Sequence, residues 1–354
     1  MTLPKQQLSV VFKSKGVAEL VSDAKIPALR PDYVLVKVHS VALNPTDWKH
    51  VDFVATVPGI RLGCDYSGVV EDVGMNLRTP FKKGDRIAGL VHGANDSQPE
   101  DGAFAEFIVA KSGTAIHVPD SLPLEHAATL GVGVATVGQG LYQSLGLPLP
   151  GAKDAKTGTV LIYGGSTATG SLAIQFAKLS GWKVVTTCSP RNFELVKKCG
   201  ADAVFDYNDP ECAKKIREFT SDSLAHVLDC ISLPDSAKIC ADSFGRSGGK
   251  YSALLSVQDF PRKDVQNVST LAYTAIGESF HKFGQVFEAK PDDYAFQISF
   301  WLLTEQLIRE GKISVHPPQI GKDGLKGVLE GMDLLRKNKV SGTKLVYRIA
   351  DTPK

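Results

Sequence analysis

Apolar strands alternate with helices from residue 159 onward, and this alternation limits the possible folds more than any other feature of the chain. The apolar run TVLIY (159–163) leads through a turn into the helical pattern TGSLAIQFAKLSG (169–181), and the next strand pattern, WKVVTTC (182–188), follows. The helix is predicted to end at Gly181 and to have one apolar face, formed by Leu172, Ala173, Phe176 and Ala177. Runs that are apolar throughout indicate strands buried on both faces, and the helices between them indicate right-handed crossovers. The sequence therefore predicts an α/β fold with a doubly wound parallel sheet.

The chain before this alternation has a different pattern. Short β-branched runs separated by glycine, proline and aspartate predict a compact β-rich barrel or sandwich. These runs are LSVVFKSKG (8–16), DYVLVKVHSVALN (32–44), SGVVEDVG (67–74), GDRIAGLV (84–91) and AFAEFIVA (103–110). A Pro/Gly/Lys connector, LPLPGAKDAKTG (147–158), precedes the alternating part. We predict a β-rich domain from residues 1–133 and 300–354 and a parallel-sheet domain from residues 134–299.

Composition and charge exclude several classes of protein. The formal net charge of +2 gives no field that would select nucleic acid or an anionic membrane. No apolar run approaches the ~20 residues of a membrane helix, and the N-terminus lacks the pattern of a secretory signal. The six cysteines, at 64, 188, 199, 212, 230 and 240, form no C-x-x-C pair, which indicates buried thiols in a reducing compartment. We expect a cytoplasmic protein that binds neither nucleic acid nor a membrane.

The turn YGGSTATG (163–170) occupies the position of a dinucleotide-binding loop. Gly164 can make the tight turn, and Gly170 can let the helix pack closely on the sheet, although a strict G-x-G-x-x-G motif is absent. The helix N-terminus offers free N–H groups and the positive end of its dipole to a pyrophosphate, and the hydroxyls of Ser166, Thr167 and Thr169 add donors. The alternative interpretation is an ordinary strand-to-helix turn with capping hydroxyls.

The end of the next strand favours NADPH over NADH. An NAD site carries a carboxylate about 20 residues after the loop, for the ribose 2′-hydroxyl. Here the strand is followed by Ser189, Pro190, Arg191 and Asn192, with Ser189 as the predicted N-cap and Pro190 as the first helical residue. A hydroxyl, a guanidinium and an amide can hold a 2′-phosphate, which a carboxylate would repel. The alternative is a plain helix cap beside a solvated arginine.

Taken together, the two halves resemble the medium-chain dehydrogenase/reductases over nearly the whole chain. The resemblance rests on VALNPTDWK (41–49), LGCDYSGVVEDVG (62–74), KGDRIAG (83–89), GAFAEFIV (102–109) and VLIYGGSTATG (160–170). More narrowly, LGLPLP, YGGSTATG, CSPRNF, VFDY and SGTKLV together resemble the fungal trans-acting enoyl reductases that serve iterative polyketide synthases. This family implies a GroES-like catalytic domain, a Rossmann cofactor domain with a cleft between them, and a monomer.

The resemblance also implies which residues form the site. NADPH would be held by Thr46, Asp47, Trp48, Lys49, Ala135, Thr136, Val137, Gly138, Gln139, Gly140, Leu141, Tyr142, Ser166, Thr167, Ala168, Thr169, Ser189, Pro190, Arg191, Asn192, Tyr207, Leu254, Leu255, Ser341 and Gly342. The substrate would be bordered by Ala272, Tyr273, Thr274, Ala275 and Ile276. The stretches LYQ (141–143) and AYTAI (272–276) depart from the family pattern. The residues that border the substrate are therefore the part of the site that the resemblance defines least.

Zinc-dependent relatives need ligands that the sequence does not supply. Cys64 and Asp65 stand at the turn where such enzymes carry a cysteine, but no His and Glu follow, and no four-cysteine cluster is present. We therefore expect a zinc-free enzyme. Without a Lewis acid, alcohol oxidation loses its activation, and reduction of a conjugated double bond becomes the better expectation.

In such a reaction the cofactor delivers hydride to the β-carbon of an enoyl thioester, and the α-carbon then takes a proton. Lys49 is the candidate catalytic residue, because a charge there could fix the thioester oxygen and assist protonation; a solvated surface lysine is the alternative. Asp47 could merely turn the loop after Pro45. The histidines at 39, 50, 92, 117 and 126 have no partner that the sequence identifies, so we expect them to be structural or exposed.

Three function classes stay open at this point. The first is a trans-acting enoyl reductase that reduces an enoyl thioester carried by a polyketide synthase or a polyketide synthase–nonribosomal peptide synthetase hybrid (PKS–NRPS). The second is a free-standing NADPH-dependent quinone or enone reductase of the same fold. The third is a cofactor-binding scaffold without activity, against which the largely intact cofactor positions count.

Overall fold

The computed structural model describes residues 3–153 and 156–353. Its strands are β1 (Gln6–Ser14), β2 (Val17–Lys25), β3 (Tyr33–Ala42), β4 (Asp65–Val73), β5 (Arg86–Leu90), β6 (Phe107–Lys111), β7 (Ala115–His117), β8 (Thr159–Tyr163), β9 (Lys183–Thr187), β10 (Ala203–Phe205), β11 (His226–Asp229), β12 (Gly249–Ala253), β13 (Val265–Ser269), β14 (Phe280–Lys282), β15 (Gln285–Phe287), β16 (Pro318–Ile320) and β17 (Lys344–Arg348). Its α-helices are α1 (Pro45–Lys49), α2 (Leu124–Ala127), α3 (Gly131–Val137), α4 (Ala168–Leu179), α5 (Phe193–Lys198), α6 (Cys212–Phe219), α7 (Pro234–Ser243), α8 (Pro291–Arg309) and α9 (Gly324–Arg336). Residues 154 and 155 of the predicted connector lie outside the described residues, as do residues 1, 2 and 354 of the predicted β-rich domain.

The chain divides into two compact units. The first unit contains the residues up to Ala135 and those from Tyr273 onward, and the second contains Thr136–Ala272. The return to the first unit comes earlier than the predicted boundary after residue 299. The physical reason is that the parallel sheet is complete at Ser269, and α8 already packs on first-unit residues: the Tyr294 hydroxyl accepts a hydrogen bond from the Gly113 N–H at 3.2 Å.

The first unit is built on a seven-stranded sheet. Its strand order is β16-β17-β3-β4-β5-β7, with β6 paired to β3, and every pairing except β16 with β17 is antiparallel. Alternating side chains of these strands point into a core that includes Val36, Ile87 and Phe104, each fully buried. The predicted β-rich domain is therefore present, and the hairpins β1–β2 and β14–β15 add to it.

The second unit is a six-stranded parallel sheet with strand order β10-β9-β8-β11-β12-β13. The order reverses direction at β8, which has β9 on one side and β11 on the other, and such a switch point is where α/β sheets bind ligands. The predicted buried face of α4 is observed, since Leu172, Ala173 and Phe176 have no exposed surface. These features confirm the predicted doubly wound sheet.

Two local predictions need correction. The Ser189 side chain makes no capping hydrogen bond, and Pro190–Asn192 form a 3₁₀ turn, so α5 begins only at Phe193. The segment after Pro45 is not a simple loop, because α1 begins at Pro45 and a π-helical stretch, His50–Val54, continues it. Proline suits a first helical position, since its missing N–H would have no partner there in any case.

Candidate functional site

The turn after β8 has the geometry of a phosphate-binding turn. Gly164 has φ +80°, a conformation that glycine adopts without cost. A Cβ on Gly170 would lie 2.3 Å from the Gly164 oxygen, so the helix approaches the strand as closely as predicted. The Thr167 hydroxyl accepts a hydrogen bond from the Gly170 N–H at 2.9 Å, and the helical ladder begins with Ser171.

This arrangement leaves donors for an anion. The N–H groups of Ala168 and Thr169 precede the first helical hydrogen bond and point out of the helix end. Residues 166–169 are all partly exposed, so these groups are accessible. A diphosphate fits a site with accessible N–H donors, small side chains and the positive end of a twelve-residue helix.

The structure brings the two predicted phosphate-binding segments together. The Asn192 amide donates to the Ser166 hydroxyl at 3.2 Å and approaches the Ser189 hydroxyl at 3.4 Å. Arg191 is exposed, and among the described residues no hydrogen bond or ion pair occupies it. Its guanidinium is thus available to a ligand beside the turn that follows β8.

The other predicted cofactor residues of the second unit differ in exposure. Residues 136–142 are buried, and the Tyr142 hydroxyl turns toward α4, where it lies 3.1 Å from the Ser180 hydroxyl. Tyr207 is 40% exposed and lies beside Tyr163, with ring centroids 6.3 Å apart. Leu255 is exposed, and the Leu254 N–H donates to the Ser232 hydroxyl at 2.8 Å.

In the first unit, the predicted segment 46–49 forms most of α1. Asp47 is fully buried, and its Oδ2 accepts a hydrogen bond from the Asn44 N–H at 2.6 Å, so its side chain closes the helix start. Burial raises the pKa of Asp47 to about 8. Thr46, Trp48 and Lys49 are partly exposed. Burial lowers the pKa of Lys49, and among the described residues no carboxylate lies within ion-pair distance of it.

Two residues that the sequence assigned to different roles meet in this unit. The Thr46 hydroxyl lies 2.9 Å from the Tyr273 hydroxyl, which in turn lies 2.9 Å from Nε2 of His50. The Thr46 hydroxyl is also 3.2 Å from that nitrogen, and the Cys64 thiol is 3.9 Å from the Tyr273 hydroxyl. We name Thr46, Tyr273 and His50 the hydroxyl–imidazole cluster.

Sequence reasoning missed the groups that surround this cluster. The His92 ring stacks on the Tyr273 ring, with centroids 4.1 Å apart and planes inclined by 10°. Nζ of Lys282 lies 4.5 Å from the Tyr273 ring centroid and donates to His92 Nε2 at 3.2 Å and to the Ala94 oxygen at 3.0 Å. The alternation of side chains along β14 is the sequence signal that could have indicated a buried Lys282, because it puts Lys282 on the same face as the buried Phe280.

Other predicted site positions have mixed surroundings. Tyr273, Thr274, Ala275 and Ile276 are buried, whereas Ser341 is exposed and Gly342 has φ +68°.

His117, which we expected to be structural or exposed, forms a hydrogen bond with Glu305 at 3.2 Å, and this bond raises the pKa of its imidazole.

The residues around Cys64 do not fit a zinc ion. A zinc ion would need further protein ligands beside the Cys64 thiol. The adjacent Asp65 is paired with Lys344. Within residues 3–153 and 156–353, no group of three His, Cys, Asp or Glu side chains is placed to hold a metal.

None of the described helices has the length and apolar character required to cross a bilayer.

Comparison with known proteins gives matches in both halves of the chain. The profile of the alcohol dehydrogenase GroES-like domain matches residues 30–120, and that of the zinc-binding dehydrogenase family matches residues 168–252. A quinone oxidoreductase from Coxiella burnetii has a TM-score of 0.73 at 24% identity and covers 97% of this chain and 99% of its own. These matches confirm the predicted combination of a GroES-like domain with a Rossmann-type sheet.

Two curated relatives match over nearly the full length. A trans-enoyl reductase of Alternaria alternata is 46% identical over 341 residues, which cover 96% of this chain and 98% of that protein. A trans-enoyl reductase of Aspergillus sclerotiorum is 46% identical over 357 residues, which cover 96% and 99%.

Proposed function

The chain belongs to the trans-enoyl reductases, and from that premise we propose that it uses NADPH to reduce the α,β-double bond of an enoyl thioester carried by a polyketide synthase or a PKS–NRPS, in secondary-metabolite biosynthesis. It is an oxidoreductase of the medium-chain type, and this fold implies a nicotinamide cofactor. When bound, such a cofactor supplies the hydride. The choice of NADPH rests on Arg191, which lies beside the turn after β8, is exposed, and has no hydrogen-bond or ion-pair partner in the described part of the chain.

The residues of the second unit bind the dinucleotide in this proposal. The Ala168 and Thr169 N–H groups hold the diphosphate, and the Ser166 hydroxyl, fixed by Asn192, adds a donor. Arg191 pairs with the 2′-phosphate, since a planar guanidinium binds phosphate in a bidentate manner. The segment 189–192 contains no carboxylate that would repel this group.

The residues of the first unit act on the thioester. Lys49 is half-buried and no carboxylate neutralises it among the described residues, so its charge is available to the thioester oxygen. That oxygen becomes negative when the double bond accepts a hydride, and a positioned cation stabilises the change in a partly dry site. The segment 272–276 borders the substrate.

We further propose a monomer that works in the cytoplasm. The exposed side chains of the edge strand β13 are polar (Gln266, Asn267 and Ser269), so this strand offers little of the apolar surface that a stable dimer buries. All six cysteines are free thiols, as suits a reducing compartment.

The test compares three substrates with the purified protein and NADPH. These are a crotonyl group on the acyl carrier domain of a polyketide synthase, crotonyl-N-acetylcysteamine, and the quinone menadione. Fastest NADPH oxidation with the carrier-bound group supports the proposal. Reduction of menadione without any reduction of either thioester would instead make the chain a free-standing quinone reductase. Saturable NADPH binding without consumption would make it a scaffold.

A further inference from the structure

The hydroxyl–imidazole cluster connects a buried hydroxyl to a partly exposed one. Tyr273 and His50 are 5% and 2% exposed, whereas Thr46 is partly exposed. Because Thr46 lies 2.9 Å from the Tyr273 hydroxyl, a proton on the buried tyrosine has a path of one hydrogen bond to the outer hydroxyl. Hydride transfer and stabilisation of the thioester oxygen leave the donor of the α-carbon proton unassigned, and this path can supply that proton.

The hydrogen bonds of the cluster have a direction. Burial lowers the pKa of His50 well below 6.5, so the imidazole is neutral and carries one proton. Its Nδ1 is buried and has no hydrogen-bond partner among the described residues, and an orphaned buried N–H is rare. The proton therefore belongs on Nε2, which donates to the Tyr273 oxygen. Tyr273 is then free to donate to Thr46, and Thr46 to donate outward.

A buried positive charge lies against the same tyrosine. Lys282 is 1% exposed, and within the described part of the chain no carboxylate pairs with it. Burial lowers its pKa to about 8, so it is mostly cationic at neutral pH. Its ammonium, 4.5 Å from the Tyr273 ring centroid, stabilises negative charge that develops on that ring.

We propose that Thr46 delivers to the substrate α-carbon a proton that Tyr273 supplies, while His50 and Lys282 stabilise the phenolate left behind. This inference rests on the proposed function. The Thr46 O–H bond breaks as the enolate electron pair forms the new C–H bond, and the Tyr273 proton moves to the Thr46 oxygen. After the product leaves, the phenolate regains a proton from water. Burial raises the pKa of Tyr273 well above 10, so it is neutral at rest, yet an enolate carbon is a stronger base than a phenolate and accepts the proton.

The first experiment is single-turnover reduction of crotonyl-N-acetylcysteamine by Tyr273→Phe. General acid catalysis contributes about 10²-fold or more, so the rate should fall by about that factor and the solvent deuterium effect should change. The NADPH dissociation constant should stay within about twofold, since the fold keeps its packing. The matched control is Tyr294→Phe, which loses a hydroxyl on a partly buried tyrosine that is bonded to Asp32 at 2.6 Å and lies outside the cluster, so it should keep the wild-type rate.

Two further measurements protect the test against a folding defect. Thr46→Ser should keep most of the rate and Thr46→Val should lose it, because only serine retains the hydroxyl. In the cofactor-free protein, ¹⁵N NMR of the His50 ring should show the proton on Nε2. A wild-type rate in Tyr273→Phe, equal rates in the two Thr46 variants, or a proton on Nδ1 would overturn the inference. A wild-type protein that fails to reduce the thioester would instead overturn the proposed function.

Discussion

Lys344 and Asp65 form an ion pair in the interior of the first unit, where the side chains are 3% and 0% exposed. Nζ of Lys344 also donates to the Asn44 side chain at 2.9 Å and to the Thr129 oxygen at 3.2 Å. The second carboxylate oxygen of Asp65 accepts the Val132 N–H at 2.6 Å at the start of α3. This pair therefore joins the C-terminal strand to the residue that follows Cys64.

Removal of the lysine charge should destabilise the protein strongly. In Lys344→Met the carboxylate of Asp65 stays buried without its partner, which costs about 3–5 kcal/mol of unfolding free energy. Urea unfolding followed by circular dichroism measures the change. Lys339→Met, at an exposed position, is the control and should stay within about 0.5 kcal/mol of wild type. Equal losses of unfolding free energy in the two variants would show that the buried ion pair contributes nothing to stability.

Arg191 should determine which dinucleotide is bound. Loss of a charge-assisted hydrogen-bonding group costs about 1.5–3 kcal/mol, so Arg191→Ala should weaken NADPH binding about 10- to 100-fold. NADH lacks the 2′-phosphate, and its affinity should not change. Calorimetric titration with both cofactors checks this. Arg246→Ala, which removes another exposed arginine of the same unit, is the control. A parallel loss for NADH would indicate a structural role for Arg191.

Asp47 should make stability depend on pH. Its folded pKa of about 8 lies above the ordinary 3.8, so the folded state keeps a proton that the unfolded chain releases. The resulting stabilisation is complete below pH 3.8 and is lost as the pH rises toward 8. The Asp47→Asn variant lacks this pH dependence, in which the free energy of unfolding changes by at most about 1.4 kcal/mol per pH unit. Urea midpoints of both proteins at pH 5, 7 and 9 should therefore diverge between 5 and 7, with the variant relatively more stable at pH 9. Parallel pH profiles would contradict a neutral, buried Asp47.

Lys49 should matter for the rate more than for cofactor binding. Removal of one group that stabilises a developing oxyanion costs about 10²-fold in turnover, so Lys49→Ala should slow single-turnover reduction by about that factor. Lys49→Arg keeps the charge and should recover part of the rate. The NADPH dissociation constant, measured beside the rate, should change little. Unchanged rate and affinity would leave Lys49 as a solvated surface residue.

Sequence patterns predicted the strands and helices of the second unit well, because each pattern involves residues that are close together in the chain. The positive φ of Gly164, the buried face of α4 and the arrest of that helix near Gly181 each depend on residues a few positions apart. The approach of Asn192 to Ser166 follows from two such signals at the ends of neighbouring parallel strands.

The cluster in the first unit could not be predicted in this way. Thr46 and Tyr273 are 227 residues apart, and no periodicity connects them. The burial of Asp47 depends on tertiary packing of α1, which propensity does not encode. Lys282 was not predicted because a lysine is ordinarily exposed, although it shares the buried face of β14 with Phe280.

The central claim is tested most directly by reduction of crotonyl-N-acetylcysteamine in ordinary water with NADPH that carries deuterium at the transferable position. The account predicts a saturated thioester with one deuterium at the β-carbon and light hydrogen at the α-carbon. Recovery of the unreduced thioester from folded protein saturated with NADPH, or deuterium at any other carbon, would contradict it.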